Sequence, residues 1–177
     1  YGGSTRDEGR NIASCAADVE AVCDALGIDR FCVWGISGGG PHALATAALL
    51  PERVAAAATL AAVAPFGAEG LDWFEGMGEQ NVEEFNAIFD GEEALRAVLQ
   101  HDREQLLATA PDQLVETLST LLSPADREVL TAGLAAFLLD SMRAGITRSL
   151  DGWVDDDIAF TKPWGFDLDD IDVPVLH

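Results

Sequence analysis

The stretch that decides the fold is residues 31–43, which reads FCVWGISGGGPHA. Its first four residues form a continuous apolar run, which predicts a β-strand buried on both faces. Glycines interrupt the run between positions 35 and 40, and Pro41 follows them. Proline is tolerated in the first turn of a helix because its missing N–H has no helical partner there. The stretch therefore predicts a strand, a sharp turn and a helix.

The turn contains the pattern Gly35-x-Ser37-x-Gly39. A sharp strand-to-helix turn forces its middle residue into strained backbone angles and lifts that side chain clear of the sheet. The neighbours two positions away must lack a Cβ. Gly35 and Gly39 meet this demand, so we expect both to shape the turn. Ser37 is expected near the start of the helix, where the Gly38 N–H and the positive helix end can stabilise an oxyanion.

The segments on either side predict more of a parallel sheet. Residues 12–26 carry one apolar stripe at helical spacing, with Asn11 as N-cap and Gly27 as C-cap. Residues 54–63 predict a second buried strand, and residues 173–176 predict the start of another. Alternating helices and strands are typical of a parallel α/β fold.

The periodicity is helical between residues 71 and 153, without a convincing strand. Asn81 with Glu84 resembles a capping box, and Ser123 with Asp126 predicts the start of one long helix reaching Leu138. Helical spacing favours core packing for the aromatic residues of this region, but they are also candidates for lining an apolar pocket. They are Trp73, Phe85, Phe89, Phe137 and Trp153.

Composition and charge exclude several classes of partner. The net charge of −21 repels nucleic-acid phosphates and anionic membranes, and no apolar run is long enough to span a bilayer. The acidic runs 155–157 and 167–170 predict solvated faces or loops. The cysteines, Cys15, Cys23 and Cys32, fit no metal or disulfide spacing, so we expect buried thiols in a cytoplasmic protein. No metal or cofactor is predicted.

Two phosphate-binding motifs are alternative interpretations of the turn. Gly38-x-Gly40-x-x-Ala43 matches a dinucleotide fingerprint, but residues 54–63 lack the acid that binds the ribose. A P-loop requires a lysine after its last glycine, and the first lysine of the chain is Lys162.

Nearly the whole chain resembles the α/β-hydrolase superfamily. Residues 1–4 are similar to its G-Y-G-x-S loop, residues 26–30 to the turn before its nucleophile strand, and residues 33–40 to its nucleophile elbow. The helical segment resembles the family's cap, and residues 164–176 resemble the return into the sheet. The resemblance implies a three-layer α/β core, residues 1–65 and 163–177, with an all-helical cap inserted at residues 66–162.

The resemblance also implies that Ser37 is the nucleophile and Gly38 an oxyanion donor. The expected activity is serine hydrolysis of a small apolar ester, lactone, thioester or amide. A serine disfavours the haloalkane-dehalogenase and epoxide-hydrolase branches, which use aspartate. Peroxidase-like and C–C-bond hydrolase members also use serine, so the reaction type stays open. The alternative is a non-catalytic member that binds a small ligand or a protein, which has no need of a strained serine.

Several catalytic groups of this family are not expected among these residues. The second oxyanion donor would precede Tyr1, and the acid and histidine would follow His177. His42 lies on the elbow helix and is expected to point away from Ser37. His101 lies in a polar helical stretch, and His177 lies in a strand. The resemblance therefore implies the central part of a longer hydrolase, whose oligomeric state is left open.

Overall fold

The computed structural model describes every residue from Tyr1 to His177. The chain forms two compact units. Residues 8–73 and 158–177 form the first, here named the core unit, and residues 1–7 and 74–157 form the second, the helical unit. The division into a core and a cap at residues 65/66 and 162/163 stays a prediction.

Three parallel strands form the sheet of the core unit, in the order β1 (Phe31–Ile36), β2 (Val54–Leu60) and β3 (Val175–Leu176). Ile36 pairs with Leu60, so β1 and β2 end side by side. The short β3 pairs with Ala57 and Ala58 of β2. The predicted parallel sheet is confirmed, although β2 ends three residues earlier than the sequence predicts.

Of two helices in the core unit, one packs on the sheet and the other packs on the first helix. Helix α1 (Cys15–Leu26) follows a short 3-10 turn whose N-cap, Asn11, accepts a hydrogen bond from the Ser14 N–H at 3.1 Å. It ends at Gly27, whose φ of 67° lies in the left-handed region that favours glycine. Helix α2 (Gly39–Leu49) packs on β1 and β2 and carries α1 on its other side. Gly27 is thus confirmed as the C-cap of α1, whereas Asn11 caps the 3-10 turn and the N-cap of α1 itself is Ser14.

One face of the sheet is open. Trp34, Ile36 and Leu60 share this face and are 68%, 45% and 59% exposed. The prediction that β1 is buried on both faces is therefore wrong for this chain, because α2 covers one face only. Cys32 lies on the open face as well, so the expectation of three buried thiols is wrong: Cys23 is buried, Cys15 is half-buried and Cys32 is exposed.

The helical unit contains no strand, as its periodicity predicts. Its centre is formed by Leu114, Ala135 and Leu139, which are almost completely buried. No helix in the structure combines the length and the apolar composition that crossing a bilayer requires. The helices are α3 (Glu79–Asp90), α4 (Glu92–Ala108), α5 (Leu114–Thr117), α6 (Pro124–Val129), α7 (Ala132–Ile146) and α8 (Asp151–Phe160), whose last three residues belong to the core unit.

Two predictions about the helices are corrected by the structure. Helix α3 begins at Glu79 with Gly78 as its N-cap, so the Asn81–Glu84 capping box is wrong. The Ser123–Asp126 capping box is present, with the Asp126 N–H donating to Ser123 Oγ at 3.2 Å. The single long helix after it is wrong, because the chain leaves the helix after Val129 and α7 starts only at Ala132.

Residues 1–7 pack on helices α7 and α8 within the helical unit. The Gly2 N–H donates to the Gly145 carbonyl at 2.9 Å. The Tyr1 ring occupies the space that a side chain at position 152 would need, and this residue is Gly152. The Arg6 guanidinium donates to both carboxylate oxygens of Asp155, at 2.9 and 2.6 Å. This segment is therefore fastened to α8 by packing and by a two-point ion pair.

Candidate active site

Ser37 lies at the apex of the turn between β1 and α2. Its φ of 51° places a residue with a side chain in the left-handed region, which costs roughly 1–2 kcal/mol for an L-residue. Strain of this kind persists only where the surrounding structure enforces it, and it is concentrated at functional sites. The residue is exposed, so its hydroxyl is accessible from solvent at the carboxyl end of the sheet.

Hydrogen bonds of the Ser37 peptide hold it in this conformation. Its N–H donates to the Leu60 carbonyl at 2.9 Å, which continues the pairing of β1 with β2. Its carbonyl accepts from the Gly40 N–H at 2.9 Å and from the Val63 N–H at 3.4 Å. Neighbouring Ala61, just past the end of β2, also has a positive φ of 47°. The turn is thus fastened both to its own helix and to the adjacent strand.

The glycines around Ser37 differ in how much space a side chain would find at each position. A Cβ at Gly35 would overlap the Gly39 carbonyl group and lie 2.7 Å from the Gly40 nitrogen, so the turn closes only without a side chain there. A Cβ at Gly40 would overlap the Ala62 side chain. A Cβ at Gly39 would meet no heavy atom within 4 Å. The expectation that Gly39 shapes the turn sterically is therefore corrected: the close approaches fall on Gly35 and Gly40.

Gly38 is the N-cap of α2, and its N–H donates to no backbone carbonyl. It stands directly after Ser37, at the positive end of the helix, where an N–H without an acceptor can bind an anion. The ring of Phe160 lies against it. This contact could not be read from the sequence, because the two residues are far apart in the chain and no local pattern connects them.

None of the three histidines hydrogen-bonds to Ser37. His42 is half-buried on α2, with its ring tilted towards Phe160 at a centroid distance of 6.1 Å. The ring of His101 bonds to the Gln105 amide at 2.7 Å on exposed α4. The Nδ1 of His177 lies 2.8 Å from Thr59 Oγ1. None of these three histidines is therefore positioned in this structure as a hydrogen-bonded base for Ser37.

The aromatic residues proposed as pocket lining occupy different environments. Trp73 belongs to the core unit, where its Nε1–H donates to the Ala64 carbonyl at 2.7 Å and its ring meets Phe66 edge-on. Phe85 is buried on α3, while Phe89 and Phe137 are exposed. The Trp153 Nε1–H donates to a Glu84 carboxylate oxygen at 2.7 Å. Their lining of a substrate pocket stays a prediction.

Helix α8 buries two carboxylates of the acidic run that the sequence assigns to a solvated face. Asp155 is 8% exposed and is paired with Arg6, and Asp157 is 2% exposed and interacts with Glu84. Burial, then the nearby Glu84 charge, raises the pKa of Asp157 well above its ordinary value, and burial also raises the pKa of Glu84. The prediction was wrong because the partners lie on remote segments. The flanking apolar residues of α8 were the available signal.

The remaining acidic run behaves as predicted. Asp167 caps a short 3-10 turn, accepting from the Asp169 N–H at 3.0 Å, and the run is exposed. No group of three or more His, Cys, Asp or Glu side chains is arranged to hold a metal ion.

Comparisons with known proteins agree with the fold. A family model described as the alpha/beta hydrolase fold matches residues 1–123. No curated protein matches the sequence. Among solved structures, an alpha/beta hydrolase fold protein from Nakamurella multipartita is 23% identical with a TM-score of 0.54, and 93% of this chain covers 56% of that one.

A second solved structure is a meta-cleavage product hydrolase from Pseudomonas fluorescens. It is 18% identical with a TM-score of 0.45, and 92% of this chain covers 52% of it. The chain thus spans about half the length of these solved structures. The family model covers well over half of the chain, including β1, the turn at Ser37 and α2. The chain belongs to the α/β-hydrolase fold family.

Proposed function

We propose that the protein is a serine hydrolase in which Ser37 is the nucleophile. The observation that carries the proposal is the exposed serine held at a φ of 51° between β1 and α2. A glycine would adopt this conformation without strain, so a serine kept there needs a reason beyond folding. Nucleophilic attack from the apex of a strand-to-helix turn is such a reason.

The first step would be attack of Ser37 Oγ on the carbonyl carbon of a small, apolar ester, lactone, thioester or amide. The new C–O bond pushes the carbonyl electrons onto oxygen, and the Gly38 N–H stabilises the resulting oxyanion. A base must take the hydroxyl proton, since a serine is a weak nucleophile at its free pKa. None of His42, His101 and His177 hydrogen-bonds to Ser37, so we assign the base and its carboxylate to other residues of the full-length protein.

Covalent labelling tests the nucleophile. A fluorophosphonate probe reacts with an activated serine by forming an Oγ–P bond, releasing fluoride and giving the proton to the base. We expect the full-length protein to be labelled and the Ser37→Ala variant not to be. Ser4→Ala, which removes another exposed serine, is the matched control and should label normally. Equal labelling of the wild type and Ser37→Ala would refute the assignment, and no labelling of either would favour a non-catalytic member of the family.

A further inference from the structure

Phe160 is the side chain that lies against the proposed oxyanion donor. It is the last residue of α8 and is 5% exposed. A Cβ built on Gly38 would lie 2.7 Å from Phe160 Cζ and 3.1 Å from Cε2. The ring therefore occupies the space that a side chain at position 38 would take.

Two further contacts limit the movement of Phe160. Its ring faces the ring of His42 on α2 at a centroid distance of 6.1 Å and an interplanar angle of 58°. Its backbone carbonyl accepts a hydrogen bond from Trp164 Nε1 at 3.3 Å, and this bond is buried. Both contacts lie within the core unit, so the ring has a defined position relative to the turn.

Gly38 needs such support because of its sequence context. Residues 38–40 are three consecutive glycines, and glycine has the greatest backbone freedom of any residue. A useful oxyanion donor must be held close to one geometry, within about 0.5 Å and 10–20°. The Ser37 carbonyl, which is in the same planar peptide unit as the Gly38 N–H, accepts hydrogen bonds from the Gly40 and Val63 N–H groups, whereas the Gly38 N–H itself has no backbone acceptor. The Phe160 ring adds a packing contact at Gly38 itself, on the side of this peptide unit that those hydrogen bonds do not hold.

We propose that Phe160 is a positioning residue for the reaction: together with the hydrogen bonds to the Ser37 carbonyl, its ring holds the peptide that carries the Gly38 N–H in the orientation that an oxyanion donor requires. The inference rests on the proposed function, because it assumes that Ser37 attacks and that Gly38 stabilises the oxyanion. Phe160 lies outside the Gly35–Gly39 motif, and by this inference it affects the rate of the reaction at Ser37.

A size exchange between the two positions tests the contact in the full-length protein. The variants are Gly38→Ala, Phe160→Leu and the double variant, with Phe166→Leu as the matched control. Phe166 stacks on Trp164 at 6.0 Å within the same unit, so its replacement removes a ring that is not the one against Gly38. The readouts are the rate of labelling by the fluorophosphonate probe, kcat and KM for p-nitrophenyl acetate, and the urea midpoint of unfolding.

Loss of a whole oxyanion donor costs about 100- to 1000-fold in kcat, and a misaligned donor keeps part of its effect. We therefore expect Gly38→Ala to lower the labelling rate and kcat by about tenfold or more, with a smaller change in KM. Phe160→Leu alone should lower both several-fold. The double variant should recover most of the loss, because the shorter leucine makes room for the new methyl group. Phe166→Leu should label at the wild-type rate.

The outcomes separate this inference from the proposed function. If no variant and no wild-type protein is labelled, the nucleophile assignment fails and the inference with it. If the wild type is labelled and Gly38→Ala is labelled equally fast, only the role of Phe160 is refuted. A double variant that is no faster than Gly38→Ala, or less stable than it, also refutes the role, because relief of the contact must restore both the rate and the urea midpoint.

Discussion

Replacing Gly35 by alanine should open the turn that presents Ser37. The new Cβ would overlap the Gly39 carbonyl group and lie 2.7 Å from the Gly40 nitrogen. All of these atoms are backbone, so no side chain can rotate away, and β1 and α2 must separate instead. Overpacking costs about 1–3 kcal/mol and occasionally more. We expect a loss at the upper end, about 3 kcal/mol, because the separation also strains the hydrogen bond from the Gly40 N–H to the Ser37 carbonyl.

Gly39→Ala is the matched control. A Cβ at this position would meet no heavy atom within 4 Å. Gly39 is the first residue of α2. Alanine is favoured over glycine in a helix by about 0.5–1 kcal/mol. The control should therefore be neutral or slightly stabilising, although the sequence pattern treats Gly35 and Gly39 as equivalent.

Urea unfolding followed by tryptophan fluorescence measures the difference. With a typical m-value of about 2 kcal/mol/M, a loss of about 3 kcal/mol lowers the midpoint by about 1.5 M. Labelling of Ser37 by the fluorophosphonate probe should fall in parallel for Gly35→Ala and stay unchanged for Gly39→Ala. A Gly35→Ala protein with the wild-type midpoint would show that the turn does not close as described. A loss of stability confined to Gly39→Ala would show that the steric demand falls on the other glycine.

Two predictions concern the buried charges of α8. The pKa of Asp157 is raised, so the folded protein keeps a proton that the unfolded chain releases, and the free energy of unfolding falls as pH rises from the ordinary carboxyl range through the raised pKa. Asp157→Asn should flatten this fall and raise the urea midpoint at neutral pH. Asp140→Asn, which changes an exposed carboxylate of α7, is the matched control. A steeper fall in Asp157→Asn than in the wild type would contradict the reasoning. Arg6→Ala leaves Asp155 buried without its guanidinium partner. Because the Arg6 side chain is 31% exposed, we expect the free energy of unfolding to fall by about 2 kcal/mol, which is less than the usual cost of breaking a fully buried pair. A wild-type urea midpoint would show that the pair contributes nothing to stability.

Local sequence chemistry predicted the part of the site that a few adjacent residues determine. The turn at Ser37 could be predicted from residues 35–40, although its hydrogen bonds also reach Leu60 and Val63. The cap of the 3-10 turn by Asn11 and the end of α1 at Gly27 could likewise be predicted from adjacent residues. The alternation of helix and strand was enough to predict the parallel sheet. Even so, the motif did not distinguish the crowded Gly35 from the open Gly39, because crowding depends on how the helix leaves the turn.

The features that the sequence did not predict depend on remote partners. Asp155 is buried because Arg6, 149 residues away in the chain, reaches it, and an acidic run alone is typical of a solvated surface. Phe160 lies against Gly38 for the same kind of reason. For β1 the sequence predicted burial on both faces, but one face is exposed. An apolar strand predicts that other segments cover it, but it does not identify those segments.

The packing of residues 1–7 on helices α7 and α8 has a consequence for protein engineering. The helical unit is discontinuous, so residues 74–157 alone are not the complete unit. A chimera that grafts only this segment onto another member of the fold family would leave the space beside Gly152 without the Tyr1 ring and would lose the Arg6 partner of Asp155. Exchange of the helical unit between relatives should therefore carry both segments together. The boundaries for recombination then lie at residues 7/8, 73/74 and 157/158.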